Sequence, residues 1–458
     1  MTIHDAGSAE ALRDANLAFA ARYPGEAGAR QPVHTVYGGA QLFTPNAARK
    51  LGDVAQRALH EYAPDAATLG LALGISDHPA LATIYTRMAD KLQREPVEDF
   101  RIDFEDGYGN RPNAEEDGHC VTVAEALGAG MAAGTLPPFM GIRIKPLNEE
   151  LRARSTRTLE LVLTETMRRA GRLPDNFVVT VPKVVIIEQV EFMVAELGRL
   201  EKKLGLGDGV LNFEVMVETP QIVLDSDGRS LLPRIPAAAR GRLTGAHFGT
   251  YDYTAGVNIT AAHQRMRHPA CDFAKHFMQV SLAGTGVWLS DGSTTVMPVP
   301  LHRAGAGETL TAAQMAANRA SVHGAWKLHF DDIQHSLVGG FYQGWDLHPA
   351  QLVTRYAALY AFFLDGIDAA AARLSNFVGK AAQATLVGDV FDDAATGQGL
   401  LNFFLRGYNC GALTEQEALS SGLTLEELRG KSFLKILNNR LTMVRPSTQR
   451  PAPGTAEP

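Results

Sequence analysis

Short apolar runs recur along the chain, each closing on polar or glycine-rich residues and followed by a longer stretch with helical spacing. They fall at 33–38 (VHTVYG), 100–105 (FRIDFE), 140–145 (MGIRIK), 177–183 (FVVTVPK), 213–218 (FEVMVE), 244–249 (TGAHFG), 285–289 (TGVWL) and, with a weaker pattern, 338–343 (VGGFYQ). Between them the apolar spacing predicts helices over 46–62, 149–170, 188–204 and 311–335. Near-continuous apolar strands are the mark of a parallel sheet buried on both faces by helices. Eight such strands in strict alternation with helices predict an α/β chain whose sheet closes into a (β/α)8 TIM barrel.

The pattern also divides the chain. Residues 1–31 read as an N-terminal helical segment and 32–354 as the barrel. Helical spacing resumes at 353–380 and again in 414–441, so 355–445 is expected to be a helical C-terminal extension. The proline-rich, polar stretch 446–458 has no means of burying a core and is expected to be a disordered tail.

Composition narrows the function classes. With 20% charged residues and a net charge of −7, and no basic cluster, the chain has no electrostatic footprint for nucleic acid or an anionic membrane. An anionic small molecule held by a few local arginines remains compatible with that charge. Cys120, Cys271 and Cys410 lie far apart without a Cys-x-x-Cys pair, which speaks for a reducing cytoplasmic setting and against a disulfide framework or a zinc site. The first residues carry acidic groups and no charged leader plus apolar run, so no secretory signal is expected. No window approaches ~18 uninterrupted apolar residues, and no membrane span is expected.

Charge gathers at the C-terminal ends of the predicted strands. The second strand ends in Asp103-Phe104-Glu105-Asp106-Gly107, the third carries Arg143 and Lys145, the fourth Lys183 and the fifth Glu218, while Tyr251-Asp252-Tyr253 follows the sixth. In a barrel these ends converge on one mouth, where the fold places its active site. Period-two alternation puts Asp103 with Glu105, and Arg143 with Lys145, on common faces. Glu218 and Asp252 are hard oxygen donors on neighbouring strands, a pairing that suits Mg²⁺ or Mn²⁺ with positions left for water and substrate. Arg143 offers a planar donor fork to a carboxylate or enolate oxygen, or else a structural ion pair to Glu105 or Asp106. Lys183 is either an ion-pair lysine among these acids, the preferred reading, or an imine-forming one.

Six short segments, in order over 32–352, resemble the citrate lyase β-subunit family, which includes malyl- and citramalyl-coenzyme A lyases. More distantly they resemble the class II 2-oxo-acid aldolases of the phosphoenolpyruvate/pyruvate-domain superfamily. The segments are DFEDGY (103–108), GIRIKP (141–146), VPKVVIIEQV (181–190), MVETPQIV (216–223), HFGTYD (247–252) and LHPAQL (347–352). The resemblance implies a metal-dependent carbon–carbon lyase with Glu218 and Asp252 as metal ligands and Arg143 as the substrate binder. Glu105 and Asp106 would orient metal-bound waters, and Lys183, Lys145 and Tyr37 would line the substrate. Coenzyme A would enter as part of a thioester substrate, and homo-oligomers are common in such a family. Three places depart from its pattern: the first strand ends Val36-Tyr37-Gly38-Gly39-Ala40-Gln41, Lys145 replaces an asparagine, and the late glycine after the metal aspartate is displaced to Gly256, before Asn258. Asp106, where the aldolases carry a histidine, favours the lyase side.

Histidine is the side chain that titrates near neutrality unperturbed, so His34, His247 and His348 are candidate bases, although a hydrogen-bonded structural role is the commoner fate of each. His323, His329 and His335 recur every six residues, a spacing that scatters them around a helix. Two rival readings stand beside the metal lyase. One is an imine-forming aldolase working through Lys183, and the other a catalytically silent barrel acting as a binding subunit.

Overall fold

The computed structural model describes residues 6–25, 28–305, 307–379, 385–387, 390–392, 394–430, 433, 435–436 and 439–440. The expected tail, 446–458, lies outside them. Eight strands form a closed, all-parallel barrel in chain order. They are β1 (His34–Gly39), β2 (Asp99–Asp103), β3 (Phe139–Arg143), β4 (Phe177–Val181), β5 (Asn212–Val217), β6 (Leu243–Phe248), β7 (Trp288–Ser293) and β8 (Gln343–Asp346). β8 pairs back onto β1 through His34↔Gly344 and Thr35↔Trp345, which closes the ring. The (β/α)8 barrel is therefore the fold.

The last two strands lie a few residues beyond their predicted positions. Residue 338 ends the long helix Ala312–Val338 rather than opening a strand. Gly340, at φ +82°, turns the chain out of that helix, and β8 is the four-residue QGWD. A strand so short, with a glycine and an aspartate in it, carries almost no apolar signal. β7 likewise runs into Ser290-Asp291-Gly292-Ser293, where its pairing to β8 shifts register.

The described residues form two compact units that divide after Phe362, with Gly28–Arg30 grouped with the second. Within the second, the helices Ile367–Gly379 and Ala394–Asn409 and the two short helices Glu415–Leu419 and Leu425–Arg429 enclose Leu374, Phe377, Leu401 and Phe404. Thr414 with Glu417 and Thr424 with Glu427 cap the short helices reciprocally, which fixes ends that packing alone would leave frayed. In the first unit, residues 8–22 of helix Ala6–Arg22 are exposed, including Leu12, Leu17 and Phe19.

Outward-facing residues of the strands, such as Ile102, Ile142 and Val179, are fully buried beneath the helices. One buried polar cluster sits in this layer. Asp346 accepts from Arg355 at 2.9 Å and lies 2.8 Å from His34 Nδ1 and 3.2 Å from His329 Nε2. Burial depresses the His329 pKa below its ordinary value, with Asp346 opposing the shift. A histidine held neutral in the fold and free to protonate when unfolded draws protons toward the unfolded state, so stability is lost as pH falls through the unfolded value of about 6.5. Wild-type protein is expected to lose thermal midpoint as pH falls below about 6.5, and His329→Gln to show a flatter profile there. Parallel profiles for the two proteins would contradict this.

Candidate active site

Seven of the candidate residues, Tyr37, Glu105, Asp106, Arg143, Lys183, Glu218 and Asp252, meet at the C-terminal mouth of the barrel. Asp103 and Arg143 are register partners on β2 and β3. Their side chains therefore emerge side by side, and the guanidinium grips the carboxylate with Nε at 2.7 Å and Nη2 at 2.5 Å. Nη1 reaches Glu105 Oε2 at 3.0 Å. Asp103 also accepts the backbone N–H groups of Glu105 and Gly107, at 2.9 and 2.7 Å. That turn aims Glu105 back into the mouth, and it needs a glycine at 107, where a Cβ would lie 2.6 Å from Asp103 Oδ2. Arg143 lies over the Tyr37 ring, 4.8 Å from its centroid, and 5.8 Å from the Trp345 centroid.

Lys183 stands in the middle of the acids. Its ammonium lies 2.5 Å from Glu105, 3.2 Å from Asp106 and 3.5 Å from Asp252. Its backbone is in the left-handed region, φ +50°, a conformation that costs a lysine energy and persists where surrounding structure over-determines it. The return is a 2.7 Å hydrogen bond from the Lys183 N–H to Glu218 Oε1. Glu218 follows the last residue of β5 and is 2% exposed, while Asp252 lies in the first turn of helix Thr250–Gly256, directly after β6. Gly249 lets the two elements approach, because a Cβ there would sit 2.6 Å from Glu218 Oε2.

The electrostatics follow from crowding. Burial pushes the Glu218 carboxyl up to about 8, with Lys183 opposing the shift and Asp252 and Glu105 adding to it. Burial also raises Glu105, against the pull of Arg143 and Lys183. For Asp106, far more exposed, Lys183 and Arg143 outweigh burial and hold the carboxyl below its ordinary range. Burial opposes the Lys183 charge, yet Glu218, Glu105 and Asp252 raise its pKa above the usual lysine value. An amine held protonated in this way is the opposite of the neutral nucleophile that imine chemistry requires.

Other candidates are placed elsewhere. β3 ends at Arg143, so the period-two alternation that would align Lys145 with it no longer applies. Lys145 instead turns beneath helix Asn113–Ala133, with its ammonium 2.9 Å from Glu116 and 2.6 Å from the Phe104 carbonyl. His34 faces outward from β1, where its Nε2 accepts from the Glu98 N–H at 3.0 Å and its Nδ1 meets Asp346. His348 Nδ1 accepts the Ala350 N–H at the start of a helix. Both ring nitrogens of His34 are engaged away from the mouth, so it is not the base there. Trp345 and Met216, which floor the mouth around Tyr37, were not evident from the sequence, because apolar residues on a buried strand carry no mark of which face they take.

The donor set was tested for a divalent ion. Among the described residues no group of three or more His, Cys, Asp or Glu side chains is arranged to hold a metal. Glu218 and Asp252 supply two hard carboxylates; burial, with Asp252 and Glu105 adding to it, favours the protonated form of Glu218, and a cation bound there would favour the carboxylate. Two oxygen donors with the remaining positions taken by water and substrate fit Mg²⁺ or Mn²⁺, which retain waters readily, and do not fit zinc.

The barrel and its mouth define a (β/α)8 protein with a carboxylate-rich, arginine- and lysine-bearing site. By sequence the chain belongs to the DUF6986 family, described as a domain of unknown function, whose model matches residues 12–436. No curated protein sequence matches it. The fold is shared with a citrate lyase from Burkholderia xenovorans LB400, at 19% identity and TM-score 0.55, over 86% of this chain and 97% of that one. A malate synthase from Haloferax volcanii aligns at 15% identity and TM-score 0.45, over 82% of this chain and 90% of that one. The same synthase in its magnesium and glyoxylate complex aligns at 15% identity and TM-score 0.45, over 88% and 97%.

Arg143→Ala is expected to leave Asp103 and Glu105 buried without their cation and to cost about 3–5 kcal/mol in urea unfolding. A loss below about 1 kcal/mol would contradict the pairing.

Proposed function

We propose that the protein is a divalent-metal-dependent carbon–carbon lyase or aldolase that makes or breaks a bond by way of an enolate. Its substrate is a 2-oxo acid or a 3-hydroxyacyl thioester such as malyl-, citramalyl- or citryl-coenzyme A. One observation carries this reading: Glu218, Asp252, Lys183, Glu105 and Arg143 come from five successive strand ends and are drawn together at one mouth.

Glu218 and Asp252 would hold the ion, Mg²⁺ or Mn²⁺, which supplies Lewis acidity toward the charge that develops on the substrate oxygen. Arg143 binds the anionic substrate. Two of its N–H groups, on Nε and Nη2, donate to Asp103, and Nη1 lies 3.0 Å from Glu105; the donors not engaged by Asp103 serve a carboxylate or enolate oxygen. The fixed guanidinium costs no reorganisation when negative charge appears, the condition under which such groups contribute most. Lys183 fixes Glu105 and Asp106 through its ammonium and Glu218 through its backbone N–H. Glu105 and Asp106 orient the water that takes up the hydroxyl proton. The aromatic and thioether floor of Tyr37, Trp345 and Met216 keeps bulk water from the enolate side.

Two cavities favour an extended substrate. The first, about 240 Å³, begins at Tyr37, Gly38 and Gly39 beside the mouth, is walled by Leu42, Phe43 and Leu352, and has Lys50 and His348 in its lining. His348 also lines a second cavity of about 390 Å³ bounded by Arg57, His302 and Arg303. A mainly apolar cavity neighbouring one that carries Arg57 and Arg303 beside Glu61 suits a thioester whose carrier ends in phosphate.

Glu218→Gln is expected to lower metal-dependent cleavage by about 100–1000-fold while the protein stays folded, judged by circular dichroism. Cleavage should be screened with malyl-, citramalyl- and citryl-coenzyme A beside free 4-hydroxy-2-oxo acids. Wild-type turnover by the variant would remove Glu218 from the metal site. Borohydride with substrate should trap no adduct on Lys183; a trapped adduct with activity insensitive to EDTA would establish the imine route instead.

A further inference from the structure

Below the mouth the barrel lumen is filled by charge rather than by the aliphatic layers that pack most such barrels. Asp99, Arg101, Glu214 and His247 are each buried to 97% or more. Arg101 spans the lumen from β2 to Glu214 on β5, with Nε and Nη2 donating at 2.9 and 3.0 Å, and pairs with Asp99 beside it. Thr180 on β4 also donates to Glu214, and Thr35 on β1 donates to Asp99 at 2.8 Å. Nothing in the proposed chemistry uses these groups, and a buried ionic layer is seldom the most stabilising way to fill a core.

The layer has one outlet toward the mouth. His247 Nε2 lies 2.9 Å from Glu214 Oε2, and its Nδ1 accepts from the Trp345 indole N–H at 3.3 Å. An indole N–H only donates, so Nδ1 must be the acceptor, and the ring proton sits on Nε2 and donates to Glu214. Trp345 packs on Tyr37 with ring centroids 4.4 Å apart, and the Arg143 guanidinium lies against both rings. Glu214, His247, Trp345 and Arg143 thus form a continuous column from the floor of the barrel to the substrate-binding arginine.

We propose that His247 is a positioning residue that acts through Trp345: by holding the indole it fixes the aromatic shelf that sets the plane and height of Arg143 for anion recognition. Asp103 holds the guanidinium by its Nε/Nη2 edge, about which the plane could still tilt; contact with two rings removes the tilt. Two cation–π contacts on one face favour a single orientation of the guanidinium. The inference rests on Arg143 being the substrate arginine, and it explains a strand-six histidine that neither binds the metal pair nor reaches the mouth.

Four variants test it: His247→Leu, His247→Gln, Trp345→Phe and Arg143→Lys. Affinity for oxaloacetate and for pyruvate is measured by titration with Mg²⁺, and thermal midpoints are measured without ligand. His247→Leu and Trp345→Phe should each weaken oxo-acid binding about tenfold, and the double variant should be no weaker than the worse single one. His247→Gln, which keeps an acceptor and a donor, should restore most of the affinity lost in His247→Leu. Without ligand, the midpoint losses of His247→Leu and Arg143→Lys should fall short of their sum when combined. Additive midpoint losses, or unchanged oxo-acid affinity in folded His247→Leu, would overturn the positioning role. Should wild-type protein bind neither acid while the midpoints remain non-additive, the column stands and the proposed function fails.

Discussion

The charge balance of the mouth governs the rest of the site. Asp103, Glu105, Asp106, Glu218 and Asp252 bring five carboxylates within reach of two cations, Arg143 and Lys183. Buried ions of one sign are tolerated only when paired, so each cation is shared: Arg143 between Asp103 and Glu105, Lys183 among Glu105, Asp106 and Asp252. Burial pushes the Glu218 carboxyl up to about 8, so it holds its proton near neutrality and ionises readily only beside a further positive charge. A site poised in this way has a physical need for a further cation, and the same need orients its functional reading.

The scaffold delivers that crowding through strict register. Asp103 lies opposite Arg143, and Val217, one residue before Glu218, lies opposite Phe248, close to the start of the helix that carries Asp252. Where side chains must approach closer than register allows, glycine supplies the space, at 107 against Asp103 and at 249 against Glu218. The strain at Lys183 belongs to the same economy of geometry, since a left-handed residue there lets one amino acid serve Glu218 with its backbone and three other carboxylates with its side chain.

The barrel was legible because its signal is repeated: six of the eight strands carry enough apolar residues to show their place and the direction of their charged ends. β7 and β8 were misplaced for the same reason in reverse, being rich in Gly, Ser and Asp and short of apolar residues. Charged strand ends pointed to a mouth, and Arg143, Glu105, Lys183, Glu218 and Asp252 do lie together there. Lys145 did not follow, because alternation is a property of strands and the strand had ended. The column of Glu214, His247 and Trp345 was invisible, since a histidine's partners come from strands far away in sequence and no local pattern marks a lumen filled with ions.

The central claim is that Glu218 and Asp252 share a divalent cation within reach of Arg143. Crystals soaked in Mn²⁺ and measured at the manganese absorption edge test it most directly. The account predicts one anomalous peak per chain, between the Glu218 and Asp252 carboxylates on the side facing the guanidinium. Manganese bound at other groups, with those two carboxylates bare, would contradict it.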